Sequence, residues 1–152
     1  MKRYGDENYN NPELNKKTMM EKYGVPYAVY LPHVQSNGKS ISNGQRQLYE
    51  IVKQKYSDAK LECFLKDVAI SVDIFIPSEN KVIEYFGDYW HCNPIKYDKD
   101  YYHTQIHKIA EDIWKSDLDR IELLKSNGYV VGIIWESDFN KDKSKINDTY
   151  IQ

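Results

Sequence analysis

The chain has 152 residues, 41% hydrophobic and 29% charged, with a net charge of −2. That balance fits one compact domain with a small appendage, and with no run of about 18 apolar residues and no basic, apolar leader it points to a cytosolic protein with no membrane span. Two cysteines, Cys63 and Cys92, are too few for a disulfide framework or a thiolate zinc site and are expected as reduced packing residues. Charge is uneven along the chain: residues 1–60 hold 10 Lys/Arg against 6 Asp/Glu, and residues 61–152 hold 11 against 17. A basic front suits phosphate contacts and an acidic back suits metal ligands, although uneven solvated surfaces would look the same.

Residues 1–41 are rich in Asn, Tyr, Lys and Pro and thin in apolar patterning. The spacing predicts a short helix over 12–22, with Pro12 early in its first turn and Gly24 as its stop. Arg3-Tyr4-Gly5 is echoed 19 positions later by Lys22-Tyr23-Gly24, and SNGKSISNGQ marks a linker ending near Gly44. From Gln45, the residues Leu48, Ile51, Val52 and Lys55-Tyr56 fit a helix of about three turns.

Three extended stretches follow, at 61–65, 70–76 and 81–86. In the second, Ile70, Val72, Ile74 and Ile76 are expected on one face and Ser71, Asp73 and Phe75 on the other. Pro77-Ser78-Glu79-Asn80 has turn character. Residues 99–127 read as one long helix with the stripe Ile106, Ala110, Ile113, Ile121 and Leu124, stopped by Gly128. VVGIIW reads as a strand buried on both faces, and the polar tail after Phe139 is expected to fray. Helix, three strands, long helix, strand is the order of an α/β fold with a central mixed β-sheet flanked by helices.

If 77–80 is a four-residue loop, Ile76 pairs with Lys81, and counting back sets Asp73 opposite Glu84. Like charges there destabilise a sheet. A hard cation such as Mg²⁺ would turn the repulsion into coordination, and two solvated carboxylates are the plain alternative. In the long helix, four steps beyond Ile113 lead to Asp117, which interrupts the inward stripe and needs a partner. A lysine or arginine is the usual one. His91, which ends Tyr89-Trp90-His91, is the partner with chemical consequence. A carboxylate on one imidazole nitrogen leaves the other free as a base, which can activate water beside a metal-held phosphate. His103 and His107, four apart on the expected long helix, have a spacing that can bind metal, but with no carboxylate clearly completing a site they read as surface or DNA-facing residues.

Taken together, VDIFIP, KVIEYFGDYWH and DIWKSDLDRIELLKSNGYVVGIIWE resemble the very-short-patch-repair endonucleases and the phage and intron homing endonucleases of EDxHD type. These are a branch of the PD-(D/E)XK nuclease superfamily. The resemblance covers residues 42–139 and implies a restriction-endonuclease-like catalytic domain over 42–140. It is preceded by a DNA-gripping segment over 1–41, with a Lys-Tyr-Gly-Val motif, and followed by a polar tail over 141–152. Asp73 resembles the family's metal-binding aspartate, and Tyr85 takes the place whose backbone carbonyl binds the metal. Glu84 falls at the superfamily's acidic ligand, while Phe86 stands where lysine is usual. His91 resembles the general base and Asp117 the residue that orients it. The family's first acidic residue, on the leading helix, corresponds to Gln45, with Glu50 as a second possibility.

Tyr89 and Trp90 match aromatics that wedge between base pairs. Lys22 and Tyr23 of the N-terminal motif, and Arg46, are expected at the DNA. The resemblance implies Mg²⁺ as cofactor, with Mn²⁺ as a substitute. No structural zinc is expected, because its cysteine positions correspond to Asp88 and Ile95. It further implies double-stranded DNA as partner, hydrolysis in a bacterial host's cytoplasm, and two copies for a double-strand cut. Two rival expectations stand beside it: a DNA-binding module with a vestigial site, suggested by Gln45 and Phe86, and a nuclease for mismatched or branched DNA.

Overall fold

A computed structural model describes residues 12–23 and 41–146. The chain divides into two units, residues 1–40 and 41–152. In the first, helix α1 (Pro12–Tyr23) is the described element, with Lys22 exposed in its last turn. The Arg3-Tyr4-Gly5 echo and Gly24-Val25 of the Lys-Tyr-Gly-Val motif lie outside the described residues, as do residues 147–152.

The second unit runs α2 (Asn43–Lys55), β1 (Lys60–Leu65), β2 (Ile70–Ile76), β3 (Lys81–Phe86), β4 (Tyr102–His103), β5 (Lys108–Ile109), α3 (Ala110–Ser126), β6 (Val130–Trp135) and α4 (Glu136–Lys141). The main sheet has the order β1-β2-β3-β6. Its first two pairings are antiparallel and the last is parallel, so the sheet is mixed. The Ser42 hydroxyl starts α2 by accepting the Gln45 amide at 3.1 Å, a standard N-cap bond. Asn80 closes the β2–β3 turn at φ 46°, a left-handed conformation that Asn tolerates.

Two apolar clusters lie against the sheet. Leu48 and Val52 of α2, Phe139 of α4 and Ile146 pack with Ile74, Ile76, Ile83, Tyr85 and Ile134. Leu124 of α3 packs instead with Leu65, Val72 and Val82. β3, paired on both sides, is buried along its whole length. A third cluster, Cys92, Ala110 and Ile113, anchors the start of α3, joined by Trp114 and Tyr101. Both cysteines are free, and Cys92 is fully buried.

Four expectations change. Helix α3 starts at Ala110 rather than near residue 99, because β4 and β5 pair as a small ribbon, Tyr102 with Ile109 and His103 with Lys108. β6 is an edge strand whose Val130 is 53% exposed; the strand buried at every residue is β3. The tail does not fray at Phe139: α4 continues to Lys141, and Ile146 is buried in the core. The alternation of β2 breaks at Asp73, with Ile70 and Val72 in one cluster and Ile74 and Ile76 in the other. β1 changes face at the same level, between Leu61 and Cys63, where Glu62 takes φ 51°.

Gly44, read from sequence as the end of a linker, lies inside α2, where an added Cβ would overlap the Tyr85 hydroxyl and ring. Gly44→Ala is therefore expected to cost about 1–3 kcal/mol, the range for overpacking a buried contact. Urea denaturation checks this: an unchanged midpoint would mean that α2 and Tyr85 do not meet so closely.

Candidate functional site

The regular pairing of β2 with β3 runs Ile76 to Lys81, Phe75 to Val82 and Ile74 to Ile83, the register expected from the four-residue loop. At the next level side chains take over the ladder. The Asp73 carboxylate accepts the Tyr85 amide at 2.8 Å, and the Asp73 amide donates to Glu84 Oε2 at 3.3 Å. The two acids are thus held side by side through each other's backbone neighbourhood, at the point where the β2 alternation breaks.

Glu84 is only 3% exposed, so its charge requires a partner. Arg120 supplies it, placing Nη2 2.7 Å and Nε 3.2 Å from Glu84 Oε1. The same Nη2 donates to the Ser71 carbonyl. Sequence reasoning missed Arg120. The signal was there, since Arg120 follows Asp117 by three residues and so shares its helix face.

Asp117 meets His91: Nδ1 lies 2.8 Å from Asp117 Oδ2. With Nδ1–H donated to the carboxylate, Nε2 keeps its lone pair. The imidazole lies flat on Phe86, with centroids 3.9 Å apart and planes 2° from parallel. Phe86 serves here as the floor under the histidine. The loop carrying His91 is pinned by the Trp114 indole, whose N–H reaches the carbonyls of His91 at 3.1 Å and Cys92 at 2.7 Å.

Gln45 is buried, and its amide donates to Glu62 Oε1 at 2.5 Å. Glu62, also missed from sequence, lies on β1 between the pairs Leu61–Ile74 and Cys63–Val72, level with Asp73. Glu50 is exposed on α2, as is Arg46. Trp90 is 52% exposed, whereas Tyr89 is half-buried against His103, with ring centroids 4.3 Å apart. His103 and His107 are not on a helix. His103 is fully buried, because its Nδ1 accepts the amides of Gln105 and Ile106 and so organises the β4–β5 turn. His107 is exposed near the Tyr102 hydroxyl, at 3.4 Å.

Of the two residues that the family resemblance sets at zinc-cysteine positions, Asp88 is 5% exposed. Its carboxylate accepts from Asn93 Nδ2 at 2.8 Å, Lys96 Nζ at 2.5 Å and the Ser137 hydroxyl at 3.2 Å. Burial alone would raise its pKa, but these hydrogen bonds outweigh burial and hold it below the ordinary carboxylate value. Ile95, at the other position, is exposed to solvent. A cavity of about 520 Å³ opens beside Asp88, lined also by Tyr89, Tyr97, Glu136 and Lys141. Neither Asp73 nor His91 lines it. Tyr85, whose ring packs on Phe139, has its pKa pushed up to about 12 by burial and by the charges of Glu136 and Asp88.

No group of three His, Cys, Asp or Glu side chains that could hold a metal occurs among the described residues. Mg²⁺ does not require one: it accepts one or two carboxylates, keeps several waters and takes phosphate oxygens. The oxygen donors beside the Tyr85 backbone fit that demand through Asp73. Both Glu84 oxygens are already engaged, one by Arg120 and one by the Asp73 amide.

The depressed Asp88 pKa carries a stability consequence. Its contribution is fully present above the unfolded value, about 3.9, and is lost as pH falls through the lower folded value. Thermal melts of wild type and Asp88→Asn are expected to differ most at neutral pH and to converge below about pH 4. A gap that stays constant down to pH 2.5 would remove the carboxylate from this role. No protein-family model, curated protein or solved structure matches the chain, so its function rests on side-chain geometry.

Proposed function

We propose that the chain is a Mg²⁺-dependent DNA endonuclease with a PD-(D/E)XK-type catalytic core of the EDxHD kind, acting on double-stranded DNA in a bacterial cytoplasm. The observation that carries the reading is the 2.8 Å contact of His91 Nδ1 with Asp117, next to an acidic pair inserted into an opened ladder. His91 Nε2 takes the proton from an attacking water, and Asp117 keeps the ring in the required tautomer and stabilises the imidazolium that forms. Phe86, stacked under the ring, favours that cation further. Water adds to phosphorus, the bond to the 3′ oxygen breaks, and that oxygen takes a proton from solvent water, so the products carry a 5′-phosphate and a 3′-hydroxyl. Asp73, with the Tyr85 carbonyl, would hold Mg²⁺, which would supply charge stabilisation to the phosphate oxygens. Exposed Trp90 suits insertion between base pairs, and Arg46 and Lys22 suit the DNA backbone.

A second reading, a DNA-binding module with a vestigial site, is favoured by the buried Gln45 amide at the first acidic position and by the Glu84–Arg120 ion pair. Nicking of supercoiled plasmid with Mg²⁺ separates the two. Wild type is expected to cut, with His91→Ala and Asp117→Asn slower by about 10²-fold or more and Asp73→Asn inactive. If wild type and His91→Ala shift DNA equally in a gel and neither cuts, the vestigial reading holds. Linear, mismatched and four-way substrates compared in the same assay identify the preferred DNA, and product ends show whether one or both strands are cut.

A further inference from the structure

We propose that Arg120 sets the cation affinity of the acidic pair. It holds Glu84 neutralised, so that Glu84 adds little to the site's attraction for an incoming divalent cation. The inference rests on the metal-dependent reading above and concerns the regulation of that same site.

Three observations lead to it. First, the Arg120 guanidinium already occupies the place a cation would take on Glu84, with two of its nitrogens on one carboxylate oxygen. Second, the carboxylates of Asp73 and Glu84 are tied to neighbouring backbone amides, so neither can move away to relieve their repulsion. A positive group must then be present whenever both are ionised, and in the described structure it is a protein side chain. Third, the side chains of Arg120 and Glu84 are 32% and 4% exposed. Glu84 is enclosed, while Arg120 is partly open to solvent.

An arginine that is only an anchor and one that sets charge behave differently when replaced. Arg120→Gln keeps hydrogen-bonding groups for Glu84 and the Ser71 carbonyl but removes the charge. Arg120→Lys keeps the charge but loses the forked geometry. For an anchor, both changes loosen the site and weaken or leave unchanged its hold on a cation. For a charge-setting residue the two part company. Arg120→Gln uncovers a second carboxylate and tightens binding, whereas Arg120→Lys leaves binding near wild type. Asp117, on the same helix, reports whether the helix has moved, since its contact with His91 lies one turn away.

The test is Mn²⁺ binding to the full chain without DNA, followed by the electron paramagnetic resonance of free Mn²⁺. Arg120→Gln is expected to bind about tenfold tighter than wild type, and Arg120→Lys within about twofold of it. The gain should vanish in Arg120→Gln/Glu84→Gln. A destabilised variant is read through the rise of its melting temperature with Mn²⁺, which reports the same affinity. Wild-type affinity in Arg120→Gln, or a gain that survives the Glu84→Gln change, overturns the proposal and leaves the nuclease reading intact. Absence of Mn²⁺ uptake by every form, wild type included, overturns the proposal, and if it persists with DNA present it overturns the nuclease reading as well.

Discussion

A carboxylate enclosed in the central strand of a sheet is the constraint on which the rest of this domain depends. Glu84 lies in β3, paired with β2 on one side and β6 on the other, and is almost completely removed from water. Breaking up a buried ion pair typically costs several kcal/mol, so a cation has to sit beside such a group. That cation, Arg120, comes from α3. Docking α3 to satisfy Glu84 also sets Asp117, about 4.5 Å earlier along the helix axis, against His91. One helix face therefore serves both halves of the site, and the acidic pair and the histidine cannot be positioned independently.

The segment between β3 and β4 has little regular structure, yet it is held in place. Asp88 gathers Asn93, Lys96 and Ser137, which ties the loop to the start of α4. Trp114 holds the carbonyls of His91 and Cys92 from the α3 side, and Phe86 lies under the imidazole. Each of these contacts restricts a different part of the loop, so His91 is fixed by packing and hydrogen bonds rather than by a strand or helix of its own. As the base proposed above, His91 would need that restriction, because an error of about 1 Å in position is costly to rate.

Acidic side chains gather at one level of the sheet. Glu62 on β1, Asp73 on β2 and Glu84 on β3 follow one another across three strands. Each accepts from a neighbour: Glu62 from the Gln45 amide, Glu84 from Arg120 and Asp73 from the Tyr85 backbone amide. An amide suits this place on the leading helix: a glutamate there would put another negative charge within hydrogen-bonding distance of Glu62. The break in alternation at Asp73, and the left-handed Glu62 beside it, belong to the same local distortion.

By itself the sequence determined what nearest neighbours and periodicity can carry. The loop 77–80 dictated the β2–β3 register, because its length leaves one pairing for Ile76 and Lys81. The helical stripe through Ile113 and Ile121 singled out Asp117 as an inward carboxylate, and the need to pair it led to His91. Other features were decided by contacts distant in the chain. Arg120 reaches Glu84 across 36 positions, and Asp88 reaches Ser137 across 49. Pattern reading also misjudged residues 99–109, where the pairing of β4 with β5 and the turn-binding ring of His103 override an apparent helical stripe. VVGIIW became an edge strand because β3, with fewer apolar residues, took the central place. Periodicity reports which side of an element is apolar; which strand is enclosed, and which cation answers a buried acid, depends on how the elements pack.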